Sequence, residues 1–180
     1  MNSSALSIRS PQSRQRSGEV YLRFQLDDKN LAVIAMQQVQ EFLVIPAHKV
    51  TPMPNLPACV LGLLNRRSRV MWVLDLAQML LSQSIATSVE QYNLIIVRVN
   101  QRQQSQNKFL GASQEPLLLG LMVPQVYRSI HFLPEQIQAP QGYFSPSLAP
   151  CLQGCVVHQN QIMLVLDAEA IAQSPILQNN

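Results

Sequence analysis

The sequence has little charge and no long apolar run, and each shortage excludes a class of protein. Only 13% of its 180 residues are charged, whereas 47% are hydrophobic, a balance typical of a folded chain and not of a disordered one. The longest apolar run, 117–123, is far shorter than the roughly 20 residues that cross a bilayer as a helix. Because residues 1–18 are polar and have no apolar core, they do not resemble a secretory signal. We therefore expect a cytoplasmic protein that does not insert into a membrane.

Aromatic residues make up only 6% of the chain and the net charge is only +3. Three of its arginines, Arg9, Arg14 and Arg16, lie in the polar leader of residues 1–18. A nucleic-acid-binding protein needs a basic face with interleaved aromatic side chains, so nucleic acid is not an expected partner. We expect a disordered leader over 1–18, followed by a single folded domain over 19–180.

Cysteine is also scarce, and its spacing does not fit a disulfide framework or a structural zinc site. The chain has three cysteines, Cys59, Cys151 and Cys155, with no Cys-x-x-Cys pair. Cys155 and His158 are three positions apart, which leaves a thiol nucleophile or a metal pair as a remote alternative. The apolar string around Cys155 favours a buried strand, where free cysteine acts as a small hydrophobe. No metal and no cofactor are predicted.

The hydrophobic pattern is that of a mainly β protein. In 20–26, Leu22, Phe24 and Leu26 alternate with the more polar Tyr21, Arg23 and Gln25, which predicts a half-buried strand. A long loop is expected over 46–57, which contains four prolines. Period-two and apolar runs predict strands over 20–26, 31–35, 39–45, 61–64 and 70–74, and, after a polar linker at 82–91, over 92–99, 117–122, 123–132, 152–157 and 161–166. An exposed loop is expected at 101–116.

The chain repeats itself at a shift of 92 positions. Without a gap, this shift aligns Cys59 with Cys151, Gly62 with Gly154, Met71 with Met163, Val73 with Val165, Leu74 with Leu166 and Asp75 with Asp167. Each copy reads strand, polar tip, strand and a short helix capped by the aspartate, with the helices ending near Leu81 and spanning 168–172. The repeat predicts two related β subdomains of about five strands each, in the halves 19–82 and 91–172.

The two hairpin tips differ where the strands agree. The first tip, 65–69, contains Arg66, Arg67 and Arg69, while the second, 157–161, contains no arginine. Because the second hairpin folds without a guanidinium, the arginines of the first form a candidate contact surface for a carboxylate-bearing partner. A solvated tip that serves only solubility is the equally open alternative.

Seven short motifs, in this order, together resemble the CheW-type chemotaxis adaptor family. That family has a strand with V-x-E, a proline-containing loop, G-[VI]-[IV]-N-x-R-G and a strand ending in D-L, and later a G-[LI]-V-V-D-x-V stretch and a closing hairpin. The matching segments here are 39–41, 54–57, 62–67, 73–76, 120–126, Gly154 and 164–167.

The resemblance covers roughly 20–172 and implies a non-enzymatic scaffold without a cofactor. CheW-like proteins consist of two five-stranded β-barrels around a shared core, and they couple a CheA-type histidine kinase to the cytoplasmic tip of a chemoreceptor. The resemblance places these residues at partner-facing surfaces: Val39, Glu41, Gly62 and Arg67, with Asn65, Arg66 and Arg69 beside them. Glu41 has no positively charged neighbour along the chain, so the residues alone predict a solvated side chain there.

Four departures distinguish this sequence from the family pattern. Ser68 replaces the usual glycine after the arginine, Trp72 replaces a frequent proline, Pro124 stands where aspartate is common, and the 101–116 loop is long. They suggest a divergent adaptor that serves pilus motility or phototaxis. Two other hypotheses stay open: the same fold with a response regulator as its main partner, and a thiol hydrolase using Cys155 and His158.

Overall fold

The computed structural model describes residues 18–84, 89–100, 116–140, 142 and 144–177. Residues 1–17 of the expected disordered leader, most of the 101–116 loop and the middle of the 82–91 linker lie outside these residues. The strands are β1 (Glu19–Gln25), β2 (Leu31–Ala35), β3 (Val39–Pro46), β4 (Val60–Arg66), β5 (Arg69–Asp75), β6 (Gln91–Val99), β7 (Leu117–Val123), β8 (Gln125–Val126), β9 (Ile130–Phe132), β10 (Leu152–His158) and β11 (Gln161–Leu166).

Two short α-helices follow the two hairpins, as the sequence predicts. They are α1 (Leu76–Leu81), after β5, and α2 (Ala168–Ala172), after β11. The side chain of Asp75 accepts a hydrogen bond from the Gln78 backbone N–H at 3.0 Å. Likewise, Asp167 accepts one from the backbone N–H of Glu169 at 2.9 Å. Both aspartates are therefore N-caps that satisfy donors left free at the helix starts.

The strands form two sheets, which confirms the prediction of a mainly β fold. The first sheet has six strands in the order β10-β11-β2-β1-β8, with β9 also paired to β1, and the second has five in the order β3-β6-β7-β5-β4. Neither ladder closes into a complete barrel. Instead, single backbone bridges cover one edge strand of each sheet: Thr51 with Leu63 of β4, and Gln138 with Cys155 of β10.

Each sheet draws its strands from both halves of the chain. The first sheet joins β1 and β2 to β8–β11, and the second joins β3–β5 to β6 and β7. The parallel contacts between β2 and β11 and between β5 and β7 link the halves. The predicted boundary at 82–91 therefore does not separate the two sheets. Strands β1 and β2 of the first half pair with strands of the second half, and β6 and β7 of the second half pair with β3 and β5 of the first.

The predicted strand over 123–132 is broken. The structure divides it into β8 and β9, and both pair with β1. Pro124 lies immediately before β8 and has no N–H to donate to a ladder. Its carbonyl oxygen accepts instead from the Asn93 side chain at 2.7 Å.

The predicted loop at 46–57 holds a short 3-10 helix at Ala47–Lys49.

Apolar side chains form three clusters, and one of them takes residues from both sheets. This shared cluster includes Phe24 and Ile34 of the first sheet and Leu74, Ile95 and Leu119 of the second. The other two clusters each draw their strand residues from one sheet only. The sequence predicts β1 as a half-buried strand with Tyr21 on its more polar face. That placement is wrong for Tyr21, because its side chain is only 2% exposed and packs in the cluster of the first sheet.

The repeat seen in the sequence is also a repeat of geometry. The backbone N–H of Asp75 donates to the Cys59 carbonyl at 2.8 Å, and that of Asp167 donates to the Cys151 carbonyl at 3.0 Å. In each copy, this hydrogen bond joins the residue that caps the helix to the residue that immediately precedes the hairpin.

Among the described residues, no helix is long and apolar enough to cross a membrane.

Candidate partner-binding surface

The arginine-bearing tip belongs to a tight hairpin between β4 and β5. The pairing of Arg66 with Arg69 leaves only Arg67 and Ser68 in the turn, so the tip is shorter than the five residues that the sequence suggests. Both turn residues have positive φ, 49° and 62°, which is the pattern of a type I′ turn. A turn of this type matches the twist of the two strands that it joins.

Glu41 is not simply solvated, which corrects the sequence-based expectation. Arg66 donates to both of its carboxylate oxygens, from Nη2 at 3.0 Å and from Nε at 3.3 Å. Glu41 lies on β3 and Arg66 on β4, the two edge strands of the second sheet. The pair therefore spans the gap between the edges, on the side of the sheet where Leu43 and Leu64 are buried. As a half-exposed pair it contributes about 0.2–1 kcal/mol.

Pairing with Glu41 separates the three arginines into two kinds. Arg66 is neutralised within the molecule, while Arg67 and Arg69 are exposed and make no salt bridge among the described residues. Arg69 pairs across the hairpin with Arg66, so the positive charges are close together. The guanidinium groups free to meet a partner's carboxylate are thus those of Arg67 and Arg69.

The other predicted site residues lie on the same two edge strands but differ in exposure. Val39, at the start of β3, packs against the shared cluster. Gly62 is buried, has φ of 142° and leaves no room for a Cβ, which would collide with the Thr51 carbonyl oxygen. Asn65 is exposed and pairs with Val70. Gly62 thus has a structural reason to be glycine, because the Thr51–Leu63 bridge passes directly over it.

Sequence reasoning missed two exposed apolar residues on β3. Phe42 is 43% exposed and Val44 is 53% exposed. Both point away from the buried Leu43, onto the opposite face of the strand. The sequence gives little indication of their exposure. Because β3 is apolar at most positions, its hydrophobic pattern does not show which face of the strand is covered. Exposed aromatic and aliphatic side chains at a sheet edge are suited to protein contacts.

The cysteines are not arranged for chemistry. Burial raises the pKa of Cys59 and that of Cys151 to about 11, and burial also raises the pKa of Cys155. His158 packs edge-on against Phe132, with ring centroids 5.9 Å apart. No cluster of metal-ligating side chains occurs among the residues that the structure describes.

Comparison with known proteins agrees with this architecture. The family described as "CheW-like domain" matches residues 20–175. The crystal structure of the scaffolding protein TtCheW from Thermoanaerobacter tengcongensis superposes with a TM-score of 0.67 at 16% identity, covering 86% of this chain and 92% of that one. No curated protein gave a significant match. Because the family match spans most of the sequence, the chain belongs to the CheW-like domain family, whose fold supports a chemotaxis-type signalling adaptor.

Proposed function

We propose that this protein is a non-enzymatic adaptor that links a CheA-type histidine kinase to the cytoplasmic tip of chemoreceptor-type sensors. Its pathway would be one of bacterial motility: chemotaxis, twitching or phototaxis. The observation that carries the proposal is the family match over residues 20–175, because it includes both sheets and both hairpins. The four departures from the family pattern favour a divergent pathway of the pilus or phototaxis type.

The β4–β5 tip is the contact that we propose for one of these partners. Arg67 is exposed and held by a two-residue turn, so little backbone entropy is lost when it binds. Its planar guanidinium can engage a carboxylate with two parallel hydrogen bonds. Phe42 and Val44 lie on β3, the other edge strand of this sheet, which the Glu41–Arg66 pair joins to β4, and they add exposed apolar area. A specific interface of this kind buries about 1,200–2,000 Å² in total.

Glu41, Val39, Gly62 and Asn65 have narrower roles in this proposal. Glu41 holds Arg66 in place, so that Arg67 and Arg69 carry the free positive charge. Gly62 lets the chain close over β4 and thereby fixes the hairpin. Val39 anchors the start of β3, and Asn65 offers an exposed amide beside the turn. Only Asn65, Arg67 and Arg69 are expected to touch a partner through exposed polar groups.

The thiol-hydrolase alternative receives no support from the geometry. A thiol nucleophile needs a lowered pKa and a nearby base, whereas burial raises the pKa of Cys155. His158 is engaged in its contact with Phe132. We therefore propose no catalytic role for either residue.

Co-purification tests the proposal, with an internal control that the repeat supplies. Gln159 occupies the turn position of Arg67 in the second hairpin, at φ of 48° against 49°. Wild type, Arg67→Ala and Gln159→Ala are each used to capture partners from the host's membrane and soluble fractions. We expect wild type and Gln159→Ala to retain a CheA-type kinase or a receptor, and Arg67→Ala to lose it.

The other outcomes are equally informative. Recovery of a response regulator without kinase or receptor would keep the adaptor fold and reassign the partner. Normal capture by a folded Arg67→Ala variant would refute the assignment of Arg67 to the contact surface. Absence of any kinase, receptor or regulator from the wild-type eluate would refute the adaptor proposal.

A further inference from the structure

The internal repeat compares two arginines of the β4–β5 hairpin with their counterparts in the β10–β11 hairpin. The shift of 92 positions aligns Arg66 with His158 and Arg69 with Gln161. In each hairpin, the two residues form the cross-strand pair next to the turn. Because the second hairpin forms without them, neither position needs an arginine for folding.

A third position, on a neighbouring strand, follows the same rule. Arg98 of β6 pairs with Leu118 of β7, and Gln25 of β1 pairs with Leu31 of β2. The two pairs are equivalent, because β7 and β2 each run parallel to the second strand of a hairpin in the same register. The second sheet therefore has three arginines where the first sheet has one histidine and two glutamines, which indicates a role for these arginines other than folding.

The three arginines lie on one face of the second sheet. The residues two positions away from them on the same strands, Leu64, Met71 and Ile96, all belong to the apolar cluster of that sheet. Since alternate residues of a strand share a face, the arginines lie on the same face as this cluster. We call the three residues together the arginine face.

A β-bulge in β3 engages two of these arginines and leaves positive charge unbalanced. The register between β3 and β6 shifts by one residue just before Glu41, so that Gln40 is the extra residue. Glu41 binds Arg66 at 3.0 and 3.3 Å, whereas Gln40 accepts one hydrogen bond from Arg98 Nη2 at 3.3 Å. The neutral amide balances no charge. Arg69 and Arg98 are both exposed, and neither forms a salt bridge within the described part of the chain.

The two unbalanced guanidinium groups are attached at well-separated points of the sheet. Strand β7 lies between Arg69 and Arg98, and the two are offset by two residues, which places their Cα atoms roughly 12 Å apart. Alternate residues of an extended segment present side chains on one face, about 7 Å apart for the nearest pair and about 13 Å for the next. Two carboxylates of one segment can therefore span the arginines, and each guanidinium fork matches a carboxylate with two parallel hydrogen bonds.

We propose that the arginine face binds an acidic segment of a protein partner, with carboxylates from alternate residues of that segment on Arg69 and Arg98. Arg66 stays paired with Glu41 and holds the hairpin against β3. Arg69 is shared with the β4–β5 tip, and Arg98 extends the contact to the second half of the chain. The inference deepens the adaptor proposal, on which it rests for the identity of the partner.

Two synthetic decapeptides test the proposal on the full chain: five Glu-Thr repeats, and five Gln-Thr repeats as the neutral version. Fluorescence anisotropy measures their binding at low ionic strength, where surface charges are least screened. We expect wild type to bind the acidic peptide at least about tenfold more tightly than the neutral one, because hydrogen bonds between charged groups are the stronger kind. The double variant Arg69→Gln/Arg98→Gln has the residue type of the first sheet at both positions, and it should bind the two peptides alike.

The matched control is the double variant Lys29→Gln/Arg128→Gln. It lowers the net charge by the same two units, and both residues are exposed in loops of the first sheet. It should keep the preference for the acidic peptide. The thermal midpoints of both double variants should agree with that of wild type, because exposed side chains contribute little to stability. Equal binding of the two peptides by wild type, or equal losses in both double variants, would overturn the proposal.

Two further comparisons separate this inference from its neighbours. If wild type sediments with phosphatidylglycerol vesicles through Arg69 and Arg98 but does not prefer the acidic peptide, the face binds an anionic membrane and the proposal is overturned. If the kinase or receptor is captured equally by wild type and by Arg69→Gln/Arg98→Gln, this inference fails while the adaptor proposal stands. If the acidic peptide binds as expected but no kinase, receptor or regulator is captured, the adaptor proposal fails while the arginine face keeps its support.

Discussion

Single residues store strain at the tip of the candidate surface. Arg67 and Ser68 both have positive φ, a region that costs a non-glycine residue about 1–2 kcal/mol. The CheW-like pattern has glycine where this chain has Ser68, and the turn geometry explains that preference physically. The second hairpin accepts the same strain with Gln159 and Asn160, of which asparagine is the better suited.

The Ser68→Gly substitution should relieve this strain. We expect the free energy of unfolding to rise by about 0.5–1 kcal/mol, because the gain in the left-handed region exceeds the added entropy of the unfolded glycine. Urea denaturation of wild type and variant measures the difference. Ser68→Ala is the control, and it should bring no such gain because alanine keeps the Cβ; equal stabilisation by both changes would contradict the argument.

The buried thiols predict a fall of stability at alkaline pH. Cys59 and Cys151 have their pKa raised from 9.0 to about 11, first by burial and also by Asp75 and Asp167. A raised pKa means that the folded state holds the proton more tightly than the unfolded one. The resulting stabilisation is complete below pH 9 and is lost as the pH rises from about 9 to about 11.

The free energy of unfolding, measured in urea at pH 8 and at pH 10.5, tests this. Wild type should lose more stability over that interval than the double variant Cys59→Ala/Cys151→Ala, which has the same other titrating groups. Identical losses in the two proteins would show that these thiols do not carry the effect.

At the scale of elements, glycines decide how each sheet is covered at its edge. A Cβ on Gly62 would collide with the Thr51 carbonyl oxygen, and one on Gly154 would lie 2.6 Å from that of Gln138. These carbonyls belong to the bridges that cover β4 and β10. The sequence repeat aligns the two glycines, but only the structure shows which backbone segment passes close to each of them.

Replacing Gly62 or Gly120 by alanine should lower the free energy of unfolding by different amounts. Gly62→Ala should lower the free energy of unfolding by at least about 2 kcal/mol, since backbone must move and φ is positive. Gly120→Ala should cost less than about 1 kcal/mol, because its Cβ would meet side chains of Ile96 and Val73 at an ordinary 3.5 Å. Similar losses at both positions, measured by urea midpoints, would contradict the bridge argument.

The sequence predicted most elements because each leaves a local signal. The helices follow their aspartate caps, and strands such as β2 and β11 have the predicted bounds. The partners of strands leave no local signal: Glu41 and Arg66 are 25 positions apart, so their pairing was missed. Tyr21 lies on the more polar face of an alternating strand, and nothing in that pattern shows that this side chain is buried.

At the scale of the whole molecule, the two halves of the chain depend on each other. Strand β2 finds its parallel partner in β11, and β5 finds its parallel partner in β7. A repeat of two independent subdomains would read the same in sequence, because period-two alternation does not specify which strand pairs with which. The exchange also explains the single shared cluster between the sheets.

Splitting the chain tests this dependence. Fragments 1–88 and 89–180 should each fail to give a cooperative thermal transition, because each lacks the strands that cover its own. An equimolar mixture should recover the circular dichroism and the transition of the intact chain. Cooperative unfolding of either fragment alone would contradict the exchanged topology.

The central claim is that this chain physically couples a kinase to a receptor. The most direct measurement is co-sedimentation of the host's CheA-type kinase with vesicles bearing the receptor, with and without this protein. Our account predicts that the protein brings the kinase into the pellet, that Gln159→Ala does so equally, and that Arg67→Ala does not. A kinase that stays in the supernatant whatever the amount of wild-type protein would contradict it.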